Sequence, residues 1–145
     1  EYSTVNFFDE FNEYGKTKSE LLKGVSKAYY GIRNTLDANT IKDTKMNKNL
    51  GEFTSEIEYV SIAYYRSQIM FYELDLYMKS RGFNKFLKAL IDEYKYKNLD
   101  VDGLIKTAKS VKKGSAKLLE NYVFNNAPTL EKIAWKIKKM QKIKK

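Results

Sequence analysis

The sequence contains no histidine and no cysteine. The first absence removes the commonest general base and the commonest zinc ligand. The second removes disulfides, thiolate metal sites and cysteine nucleophiles, and leaves the redox compartment open. Proline occurs once and glycine seven times, too few for a fold built from tight turns between strands. No apolar run approaches the length of a membrane span, and the first residues form no charged-then-apolar leader. The chain opens on Glu1, as a mature form or an excised piece would.

What is present suits a globular chain. The 145 residues suffice for one domain with its own core, and 43% are hydrophobic against 31% charged. The net charge of +9 is concentrated: Thr129–Lys145 carries seven lysines and one glutamate, so only +3 is left to the other 128 residues. A nucleic-acid reader spreads its basic residues over a face or groove. A basic tail on a nearly neutral body speaks against that class.

Apolar residues recur at helical spacing along the chain, with no alternating strand pattern of useful length and no internal repeat. The expected fold is all-α, a multi-helix array of about six to seven helices. A first helix spans residues 2–14, with Val5, Phe8 and Phe11 on one side, and ends at Gly15. A second covers 18–36, and the polar segment 37–53 is a loop. Ser55 followed by Glu58 is a capping-box signal for a third helix over about 56–81, closed by Gly82. A fourth follows through Phe83, Phe86, Leu87, Leu90, Ile91 and Tyr94. A fifth is capped by Asp100 and carries Leu104, Ile105, Ala108 and Val111. After Gly114 a sixth carries Leu118, Leu119, Tyr122 and Val123, and Pro128 opens a seventh. Residues 1–128 are expected to form a helical subdomain and 129–145 a basic amphipathic C-terminal helix.

The third helix is apolar around most of its circumference and is expected to be central and buried. It contains the stretch IAYYRSQIMFYEL, residues 62–74. On a helical wheel Tyr65 groups with Ile62, Ile69 and Leu76, as a core residue would. Tyr64 shares a face with Ser61, Ser67 and Gln68, a polar notch in a buried helix. From spacing alone, Tyr64 is a packed tyrosine whose hydroxyl is satisfied by a neighbour.

This stretch resembles one in the zinc aminopeptidases of the aminopeptidase N type, which are gluzincins. Their zinc motif is followed by a helix reading roughly Y-x-K-G, with YEL often a few residues on; here Tyr64-Tyr65-Arg66-Ser67 and FYEL take those places. GFNKFLKAL, YKYKNLDVDGLI and LGEFTSEIEY resemble further segments of the family and keep its order, and EYSTV resembles the residues just past its third zinc ligand. The resemblance covers roughly Glu1 to Phe124. The family holds zinc with H-E-x-x-H and a glutamate, and this chain lacks that motif. Arg66 stands for the family's lysine and Ser67 for its glycine.

The resemblance implies the C-terminal helical part of such a peptidase, lacking the zinc-binding half and forming a wall of the active-site cleft. It implies no cofactor in this chain, zinc in the parent protein, and a peptide substrate there. Tyr64 would be the catalytic residue that stabilises the transition state. The chain alone is expected to be inactive.

Other candidates have plainer readings. Glu1, Asp9, Glu10 and Glu13 form an acidic cluster that suits a solvated helix face better than an oxygen-ligand cation site. Tyr29 and Tyr30 divide between core and boundary. In the tail, Leu130, Ile133, Ile137 and Met140 make one stripe, with Trp135 among lysines. A docked terminal helix is the expectation. The alternative is a stand-alone helical binding module that uses the basic tail on an anionic membrane surface or an acidic protein.

Overall fold

The computed structural model describes residues 43–126 and four helical positions of the preceding segment, Glu20, Lys23, Gly24 and Lys27. The expected first and seventh helices, the acidic cluster, Tyr29, Tyr30 and the basic tail lie outside the described residues. The protein is all-α: about 75% of the described residues are helical and none of them is in a strand.

An extended strap, 43–49, leads into a 3-10 turn at Leu50–Glu52. Helix α1 (Glu56–Tyr59) runs directly into a π-helical segment (Val60–Arg66), which passes into the long helix α2 (Ser67–Tyr94). Helices α3 (Val101–Val111) and α4 (Ser115–Val123) then fold back against α2 and against each other. Where the sequence suggests two helices parted at Gly82, the chain stays helical through that residue. The interruption lies three residues earlier, at Lys79, with φ 63° and ψ 156°. Gly82 has a different role. A Cβ there would lie 3.3 Å from the Met78 Cβ, so the glycine admits close packing just past the break.

The core explains the rest. Before the break, α2 buries Gln68, Ile69, Met70, Tyr72, Glu73, Leu74, Asp75 and Met78, most of its circumference. Past it only Phe83 and Phe86 are fully inside, their rings 5.8 Å apart, and Ile91 is 64% exposed against expectation. Ala108 from α3 and Leu119 and Val123 from α4 close the same cluster. Full burial of a side chain such as Phe86 or Leu119 stabilises by about 1.5–3 kcal/mol.

The local signals for α3 and α4 act as read. The Asp100 carboxylate accepts the Gly103 N–H at 2.7 Å, capping α3. Gly103 also leaves room for the Tyr94 hydroxyl, which a Cβ would strike.

Candidate functional site

Tyr64 sits near the end of the π-helical segment, and the wider turn changes which residues share its face. In a regular α-helix Ser61, Tyr64, Ser67 and Gln68 would line one notch. Here Ser61 and Gln68 are buried, while Tyr64 is 39% exposed. Its neighbours Ile62 and Arg66 are buried, and Tyr65 is only half-buried rather than a core residue. The π turn adds a residue to the circuit, which swings Tyr64 out to the rim of the helix. Such segments are often found at functional sites.

The return from π to α geometry leaves carbonyls without the usual N–H four residues on. Ser67 deals with this through its side chain. Its hydroxyl lies 2.6 Å from the Ala63 carbonyl and 2.8 Å from that of Tyr64 and donates to this pair, while its backbone N–H also reaches Tyr64 O. Serine at this point therefore has a structural use that a glycine could not serve.

The Tyr64 ring belongs to an aromatic ladder. Tyr64 meets Tyr59 edge to face at 5.6 Å, and Tyr59 meets Phe53 in the same manner at 5.2 Å. Lys48 lies 5.5 Å from the centre of the Phe53 ring. Beneath this ladder is a buried ion pair, Lys48 Nζ to Glu58 at 2.7 Å. Lys48 also donates to the Asp43 carbonyl, and Glu58 accepts from the Thr54 N–H and hydroxyl. Burial acts against the Glu58 charge, but the Lys48 and Thr54 hydrogen bonds and the Lys48 charge outweigh it and hold the carboxyl below its ordinary value. The capping box expected at Ser55 is thus half formed. Ser55 Oγ accepts the Glu58 N–H at 3.1 Å, but the Glu58 side chain turns to Lys48 and Thr54.

On the other side Arg66 is buried. It donates to the Asn125 carbonyl at 2.8 Å and stacks over Tyr122, 5.6 Å from the ring centre. The strap reaches the same end of α4: Met46 and Asn47 donate to the Val123 carbonyl, and Thr44 to the Asn126 side chain. The π-helical segment is therefore held at both flanks, and Tyr64 rides on a rigid mount. Glu58 was read from the sequence only as a capping residue; its pairing with Lys48 and Thr54 was not, because no fixed spacing announces a contact between a strap and a helix.

The chain has neither histidine nor cysteine, and no group of three acidic residues suited to a metal occurs among the described residues. No helix among them is long and apolar enough to cross a membrane. Comparison with protein-family models, with curated proteins and with solved structures gives no match.

Proposed function

We propose that the chain is the helical C-terminal part of a zinc-dependent peptidase of the aminopeptidase N type, an array of six to seven helices resembling the helical subdomain of a gluzincin, in which Tyr64 faces the substrate. One observation carries this reading: within a largely buried, doubly anchored helix, Tyr64 is held at the surface. A core tyrosine would lie inside, as Tyr72 does. Four segments resembling the family, in its order, support it independently.

In this reading the metal belongs to the part of the parent that the resemblance puts upstream, and the present residues only bind and stabilise. Hydrolysis of a peptide bond passes through a tetrahedral oxyanion. A phenol with an ordinary pKa of ~10 stays protonated at neutral pH and can donate a hydrogen bond to that oxygen. Donors fixed where charge develops are worth most when they need not reorganise, and a rigid helix provides this.

The test is Tyr64→Phe in the full-length parent. Loss of an oxyanion donor lowers kcat on the order of 10²–10³-fold with little change in KM. Tyr65→Phe, on the neighbouring face, stays within a few-fold. Equal losses in both variants, or none in either, refute the reading.

The second reading is a stand-alone binding module whose basic tail meets an anionic membrane or acidic protein. Exposed Lys106, Lys109, Lys113 and Lys117 on and after α3 favour it by giving the described residues basic surface of their own. Salt-sensitive binding to anionic vesicles that is lost on deleting 136–145 would support it.

A further inference from the structure

The break in α2 has no breaker in its sequence. Leu76-Tyr77-Met78-Lys79-Ser80-Arg81 contains neither proline nor glycine, and Gly82 is itself helical. Yet Lys79 adopts φ 63° and ψ 156°, a region that only glycine enters without strain. A straight helix is the locally preferred state of this stretch. Something outside it holds the bend.

The corner between α3 and α4 is placed to do so. Lys112, 35 residues on, donates from Nζ to the Tyr77 carbonyl. That carbonyl belongs to the last turn before the break, where carbonyls lose their intrahelical partners and a cation is favoured. The same ammonium stands 4.1 Å from the centre of the Tyr77 ring. Gly114 completes the clamp, because a Cβ there would strike the Tyr77 hydroxyl. The carbonyl, the ring and the hydroxyl of one residue are thus all engaged by Lys112–Gly114.

We propose that the bend at Lys79 is a latched hinge: α2 has a straight and a bent arrangement, and the Lys112 ammonium on Tyr77 selects the bent one. The straight arrangement would carry the second half of α2, with Phe83 and Phe86, away from α3 and α4. Whatever neutralises Lys112, acetylation of its amine included, releases the latch.

The native chain has no cysteine, so paired labels can be added cleanly. Spin labels at Glu56→Cys and Asp92→Cys, both exposed, flank the bend. Over 36 residues a straight α-helix would separate them by about 54 Å at 1.5 Å per residue, and slightly less with the π-helical segment Val60–Arg66 retained. The otherwise unaltered full chain should give one distance clearly below this. Lys112→Met should add a population near the straight-helix value, and Lys112→Arg should not. Lys79→Gly, which removes the strain, should suppress that population when combined with Lys112→Met. By itself it should raise Tm by roughly 4 °C, the size expected for relief of about 1 kcal/mol in a domain of this size. A Lys112→Met distribution identical to that of the unaltered chain overturns the proposal. So does a lower Tm for Lys79→Gly, a measurement that decides even where Lys112→Met fails to fold.

Discussion

The continuous helical run from Glu56 to Tyr94 departs from α-geometry in two places, and the two are held in opposite ways. At Val60–Arg66 the turn widens, and much of the repair is close in sequence: Ser67 bonds to carbonyls three and four residues back, and Glu58 gathers Thr54 and Lys48 from the preceding strap. At Lys79 the chain bends sharply, and the repair comes from Lys112 and Gly114, far along the sequence. A widened turn keeps side chains of the same stretch within reach of its carbonyls. A sharp bend exposes the last carbonyls to whatever packs beside them, so its partners are tertiary. The first arrangement gives a fixed platform for Tyr64. The second leaves the bend in α2 dependent on contacts made far along the chain.

The largest expected effect strikes the platform. Lys48→Met leaves a buried carboxylate without its cation and should cost about 3–5 kcal/mol in urea unfolding. The same pair sets an acid limit. Because Glu58 titrates lower in the folded chain than its ordinary value of 4.5, its contribution is complete above that value. It is lost as pH falls through the lowered one. Glu58→Gln should therefore be less stable at neutral pH, with a flatter stability profile below pH 4.5.

Gly114→Ala is the matching change at the bend. The new methyl meets the Tyr77 hydroxyl and should cost about 1–3 kcal/mol. Tyr77→Phe removes the atom in conflict, so the double variant should lose less than the sum of the two single changes. Strict additivity would disconnect the corner from the bend.

Ser67→Ala should cost ~1 kcal/mol through the loss of its carbonyl contacts, and it should not populate the straight arrangement at Lys79. Appearance of that population in Ser67→Ala would join the two distortions that are separated above.

The smallest effect should be a gain. Tyr96 has φ 65° in the turn closed by Lys97 N–H to the Tyr94 carbonyl, and its side chain is fully exposed. It sits where this turn type favours glycine, so Tyr96→Gly should stabilise by ~1 kcal/mol. Here positive φ is strain without a tertiary latch, the reference against which Lys79 is measured.

Helix content, the Asp100 cap, the start of α4 after Gly114 and the core positions Ile69, Phe83, Phe86, Ala108 and Leu119 were legible in the sequence. Each depends on spacing or on residues a few positions apart. The surface placement of Tyr64 was not legible, because a wheel drawn at α-helical pitch puts it beside Ser61 and Gln68. The end assigned to Gly82 failed for a related reason. Glycine permits a break but does not require one, and the helix bent where α3 and α4 gripped Tyr77.

By itself, then, the sequence determined that the chain is helical, where several helices begin and which stripes they bury, since these follow from short-range periodicity and capping. Only the tertiary structure decided that α1 would open into a π turn over the Lys48–Glu58 pair and that α2 would bend at a residue with no local reason to do so. Both depend on partners brought together by packing: a strap tied to the end of α4, and a corner closed on Tyr77.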